Sequence, residues 1–144
     1  LCEYMQSELN KLGLTIAVDV IPPATLRELK SQASLPFYRA SWIADYPDAE
    51  NYLSLFYGPN RSPAGPNYSR FYNAQFDVWY EEARKTADEK LRLKRYAQMD
   101  SLIVAEAPIV PLYYDEVVRI FPKHFSGLVG NGMNLLDLRF VKRD

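Results

Sequence analysis

The stretch Leu14-Thr15-Ile16-Ala17-Val18-Asp19-Val20-Ile21 decides the fold class. Leu14, Ile16, Val18 and Val20 alternate with their neighbours, the period of two that lines one face of a strand. Pro22-Pro23 ends the run, since proline has no N–H to give a ladder. Upstream, Leu1, Met5, Leu9 and Leu12 recur at helical spacing, and Gly13 follows as a C-cap. Downstream, Thr25 and Glu28 stand at capping-box spacing, with Leu26, Leu29 and Ala33 on one helix face. Pro36 closes that helix, and Phe37 to Ile43 reads as a second strand. Helix–strand–helix–strand alternation predicts an α/β layer.

Beyond it, Asp45-Tyr46-Pro47-Asp48 is a turn, and Asp48 can cap a short helix carrying Tyr52, Leu53 and Phe56. Gly58 to Tyr72 is rich in Gly, Pro and Asn and reads as a long loop, functional or a plain surface excursion. Asn73 can cap a helix whose apolar face holds Phe76, Trp79, Tyr80 and Ala83, supported by a Glu81–Lys85 pair. Asp88 caps a longer helix bearing Leu93, Tyr96, Met99 and Ile103, stopped by Pro108. Residues 109–114 and 117–121 read as strands, a Gly/Asn loop spans 127–134, and 136–141 reads as a last strand. There is no internal repeat, and no linker divides the 144 residues.

The 17 basic residues are scattered among 18 acidic ones, so no basic stripe invites a phosphate backbone. Nucleic acid is therefore not an expected partner. Eleven tyrosines suit both cores and binding clefts. Cys2 stands alone, which excludes an intrachain disulfide or a CxxC metal site and suggests a small core residue. No membrane span or signal peptide is visible. The chain opens in helical pattern without a start signal, which reads as a cut within an element, any targeting segment lying upstream.

Chemistry concentrates between Trp42 and Tyr52, where Asp45, Asp48 and Glu50 mix with aromatics. The cluster sits where a strand ends and a helix begins, the usual place for a ligand in an open α/β sheet. One reading is a glycosidase pair, Asp45 with Asp48 or Glu50, which needs carboxylates about 5–9 Å apart. Asp48 has a competing role as a helix cap. The lone His124 has no nucleophile elbow to serve, and no metal, nucleotide or cofactor motif occurs. A second reading makes Asp45 a fixed anion for a ligand ammonium, Trp42 a pocket wall with a cation–π face, and Arg39 a fork for a ligand carboxylate.

The run Arg39-Ala40-Ser41-Trp42-Ile43-Ala44-Asp45-Tyr46-Pro47-Asp48 resembles the motif of the oligopeptide/dipeptide-binding proteins, the family 5 extracellular solute-binding proteins that serve peptide ABC importers. Asn51-Tyr52-Leu53 resembles the segment after that motif. Phe71-Tyr72-Asn73-Ala74-Gln75-Phe76-Asp77 resembles the family's N-x-x-F-D helix start, and Ala107 to Tyr114 its A-P-I-x-P-L-Y segment. Ala49 stands where many relatives have proline. The resemblance implies a two-lobed, clamshell fold of the periplasmic-binding-protein type (type II), with residues 1–144 part of the mixed-sheet second lobe and the rest upstream. It implies Asp45 as receiver of the peptide α-ammonium, Trp42 as a cleft-lining aromatic, and Ser41 where strand backbone pairs with an extended peptide. Arg39 would meet the ligand carboxylate, and Tyr46 would line the site.

The expected function is capture of oligo- or dipeptides without covalent chemistry and delivery to a membrane ABC permease. The expected place is the periplasm or another extracytoplasmic space, with a lipid anchor carried upstream as a further option. The alternatives are a glycosidase-like hydrolase and a stand-alone α/β interaction domain.

Overall fold

Asn73 and Asp88 start the two helices that carry the core. In a computed structural model, which describes residues 1–131 and 135–143, the Asn73 side chain accepts from the backbone N–H groups of Gln75 and Phe76 and opens α4, Ala74–Lys85. The Asp88 side chain does the same for Lys90 and Leu91 and opens α5, Glu89–Glu106. Each satisfies two N–H groups that the first turn leaves without helical partners. Ala107 ends α5 in the left-handed region, and Pro108 follows. The expected Glu81–Lys85 pair forms at 2.8 Å.

The two helices pack along their lengths, with the short α3 (Glu50–Leu53) against α5. Phe76 and Met99 are wholly buried between them, joined by Leu53, Phe56, Phe71, Tyr80, Ala83 and Ile103. Phe76 meets Phe71 edge-on at 5.6 Å and Phe56 at 6.5 Å, the geometry that the ring quadrupole favours. Leu93, expected on the buried face, is 55% exposed. Arg92 and Arg95 lie half-buried beside that face instead, Arg95 pairing with Glu82 of α4 at 2.6 Å.

Helix α1 (Cys2–Lys11) closes as its sequence predicts. Gly13 has φ +82°, its N–H donates to the Asn10 carbonyl, and that of Leu14 donates to Leu9, a Schellman closure. Cys2 is exposed, not a core residue. Helix α2 (Pro23–Ser31) corrects the expected capping box. It starts two residues before Thr25, with Pro23 at its first position and no side-chain cap, because proline's fixed φ already suits that place. Ala33 lies past its end at φ 54°, not on its apolar face.

The expected strands at 14–21, 37–43, 109–114 and 117–121 carry no ladder among the described residues. Val20, Ile43, Tyr114, Val118 and Ile120 stand largely exposed along them. An alternating segment becomes a strand only when a neighbour takes its N–H and C=O groups, and no described segment does so. Among the described residues the one sheet is two short antiparallel strands, β1 (Phe125–Ser126) and β2 (Lys142–Arg143). The expected strand at 136–141 is absent because the Asp137 carboxylate accepts from the Arg139 N–H at 3.0 Å and turns the chain there. Residues 132–134 of the expected Gly/Asn loop lie outside the described residues.

The 58–72 loop is tied down from within. Asn67 is fully buried, and its Nδ2 donates to the carbonyls of Tyr57 at 3.1 Å and Phe71 at 3.0 Å. Among the described residues no helix is long and apolar enough to cross a membrane.

Candidate functional site

The segment between the second expected strand and α3 is built around one side chain that sequence reading did not single out. Asn51 is 3% exposed. Its Oδ1 accepts from the Trp42 indole Nε1 at 2.7 Å and from the Asp45 backbone N–H at 3.1 Å. Its Nδ2 donates to Asp45 Oδ2 at 3.2 Å. A carboxamide offers an acceptor and a donor on one flat group, so Asn51 fixes Trp42 and Asp45 together from below. Trp42 is half-buried, whereas Asp45 is exposed. The other Asp45 oxygen, Oδ1, accepts no hydrogen bond among the described residues.

The neighbouring carboxylates are engaged in holding this segment on the helices. Asp48 Oδ1 accepts from the Glu50 N–H at 2.9 Å, satisfying a first-turn donor of α3. Its other oxygen faces Arg92 of α5 at 4.0 Å, and the carboxylate lies beside Tyr96, whose phenol is raised first by burial and then by Asp48. Glu50 accepts from both the Tyr46 and the Tyr80 hydroxyls. Burial first, and then the bond to Glu50, pushes the Tyr80 phenol far above the ordinary tyrosine range. Tyr57 stacks on Tyr80 at 4.3 Å, and its hydroxyl bonds to Glu81, which raises it to about 12. The hydrolase reading finds no support in this arrangement. Asp48 and Glu50 are the second carboxylates it needs, and both are occupied in fixing α3 and the tyrosines.

Of the other expected site residues, Tyr46 joins the group through Glu50, its ring 42% exposed. Ser41 is exposed, one residue before Trp42. Arg39 is exposed as well, and it is drawn to the Tyr113 hydroxyl at 3.1 Å. The only signal for Asn51 in the sequence was its place in Asn51-Tyr52-Leu53, a polar residue opening an apolar run. Tyr113 was read only as part of the Ala107–Tyr114 segment, with nothing to pair it with Arg39.

Comparisons with known proteins bear on the family and on the fold. The model of the bacterial extracellular solute-binding proteins, family 5 (middle), matches residues 1–64, which include Trp42, Asp45 and Asn51. Over those residues the chain is similar to the family 5 solute-binding proteins. It is 26% identical to the dipeptide-binding protein DppE of Bacillus subtilis (strain 168) over 100% of its own length and 26% of that protein. Its fold matches the unliganded open form of the periplasmic murein tripeptide binding protein MppA with a TM-score of 0.76. That match has 22% identity and covers 92% of this chain and 25% of the other. HbpA2 from Haemophilus parasuis gives a TM-score of 0.80 at 20% identity, covering 99% of this chain and 28% of the other. The chain thus spans about a quarter of the length of the relatives it matches. The α/β clamshell expectation holds at the level of these folds, of which the chain is one part.

Proposed function

We propose that this segment helps to hold a peptide by its free amino terminus, in a protein that captures peptides and passes them unchanged to a membrane ABC permease. The observation that carries the reading is the Asp45 carboxylate: one oxygen fixed by Asn51, the other open, beside the half-buried Trp42. A preset, exposed anion next to an aromatic wall suits an ammonium group. Ser41 places backbone that carries no ladder beside it, free to pair with an extended main chain. Tyr46 lines the same edge, and Arg39 turns from Tyr113 to a ligand carboxylate when one is present. Residues 1–144 then form part of the second lobe, and the second lobe closes on the first. The relatives' printed names, dipeptide-binding and murein tripeptide binding, support a peptide as ligand. Other relatives are named periplasmic, which supports an extracytoplasmic site of action, soluble or on a lipid anchor.

The test is to purify the full-length gene product under native conditions, release its ligand and identify it by mass spectrometry. Incubation with that ligand should return it chemically intact. Cleaved product accumulating with time would replace the binding reading with a hydrolytic one.

A further inference from the structure

We infer that Asn51 is a positioning residue that sets selectivity for a free amino terminus, by holding the Asp45 carboxylate and the Trp42 indole in one fixed relation. This rests on the reading of Asp45 as the ammonium anchor. Asn51 contributes three bonds and almost no exposed surface: Oδ1 accepts from Trp42 Nε1 and from the Asp45 N–H, and Nδ2 donates to Asp45 Oδ2. Both polar atoms of its carboxamide are thus turned on Trp42 and Asp45, with the Tyr46 hydroxyl beside them. Its backbone carbonyl does the helix's work, accepting from Ser54 Oγ at 2.7 Å.

A carboxylate on an exposed turn has two free rotations. Pinning one oxygen leaves the other with a single direction, which is the preorganisation that makes an ion pair selective. Trp42 is held by the same atom that holds the Asp45 backbone, so wall and anion cannot drift apart. Asn51 touches no ligand in this arrangement. It acts through Asp45.

The experiment is calorimetric titration of the full-length gene product with a free tripeptide and with its N-acetylated form. It compares the unaltered protein, Asn51→Ala, Asp45→Ala and the double variant. The free form should be preferred by the unaltered protein. Asn51→Ala should weaken free-peptide binding by about tenfold, the scale of one charge-assisted hydrogen bond, and leave acetylated-peptide binding unchanged. In the Asp45→Ala background the same change should do much less, because the charge it positions is gone and only the Trp42 wall is left to release. Equal loss for both peptides, or additive loss in the double variant, would overturn the positioning role while leaving the ammonium reading in place. Equal affinity of the unaltered protein for both peptides would remove the ammonium reading, and this inference with it.

Should Asn51→Ala not fold, the carboxamide protons of Asn51 report the same point in the unaltered protein and in Asp45→Ala, where the changed residue is exposed. Free peptide should shift them in the unaltered protein, acetylated peptide should not, and neither should in Asp45→Ala. A shift that persists without Asp45 would contradict the inference.

Discussion

Removing one oxygen atom from Tyr80 tests how the candidate site is fastened to the helices. In Tyr80→Phe the ring keeps its stack on Tyr57 at 4.3 Å and its contact with Phe76 at 6.4 Å. Only the hydroxyl that donates to Glu50 is lost. Tyr80 is 2% exposed, so no water replaces it. A hydrogen bond to a charged group contributes roughly 1.5–3 kcal/mol. Glu50 keeps the Tyr46 hydroxyl and partial access to solvent, which puts the expected loss near the lower end, about 1.5–2 kcal/mol. Tyr46→Phe, at an exposed ring, should cost under about 1 kcal/mol. The assay is urea unfolding followed by circular dichroism, with the double variant to measure coupling through Glu50. A Tyr80→Phe protein within about 0.5 kcal/mol of the parent, the range of an ordinary surface change, would refute the account of Glu50 as a shared acceptor.

Asn67→Ala should cost about 3 kcal/mol in the same assay, since it leaves the carbonyls of the half-buried Tyr57 and the buried Phe71 without their donor. The raised Tyr57 phenol predicts alkaline instability. A folded pKa of about 12 against an ordinary 10.0 favours the protonated form, so its contribution is complete below pH 10.0 and lost as pH rises towards about 12. Tyrosinate absorbance should therefore rise in step with unfolding over that window for this residue. Gly127→Ala should break the β1–β2 pair, because φ is +81° and an added Cβ would lie 2.0 Å from the Phe140 carbonyl oxygen. Hydrogen exchange should show faster exchange at Phe125 and Arg143 with α4 and α5 unchanged. The exposed apolar rows at Val20, Ile43, Val118 and Ile120 predict that the 144-residue chain alone self-associates. Light scattering that shows a monomer at high concentration would contradict this.

Local rules were legible in the sequence wherever the physics is local. Asn73 and Asp88 announce their helices because a cap is decided within three residues, and Gly13 closes α1 for the same reason. Thr25–Glu28 misled because Pro23 offered an earlier start that needs no side chain. The strands were legible as patterns only. Their ladders depend on partners distant in sequence, and no described residue supplies one. In the site, Asp45 and Trp42 were visible as chemistry beside each other in the chain. Asn51 was not, because its role appears only when a short turn brings its carboxamide under both. The same holds for Tyr113, 74 residues from the Arg39 it meets. Asp48 shows the reverse: its capping use was readable in advance, and it is what withdraws Asp48 from the hydrolase reading.

The most direct measurement is calorimetric titration of the full-length gene product with di- to pentapeptides, against the same peptides N-acetylated, repeated with Asp45→Ala. The account predicts that free peptides bind, acetylated ones bind far more weakly, and Asp45→Ala removes the difference. If the unaltered protein binds both sets equally, or binds neither, Asp45 is not an ammonium anchor and the peptide reading fails.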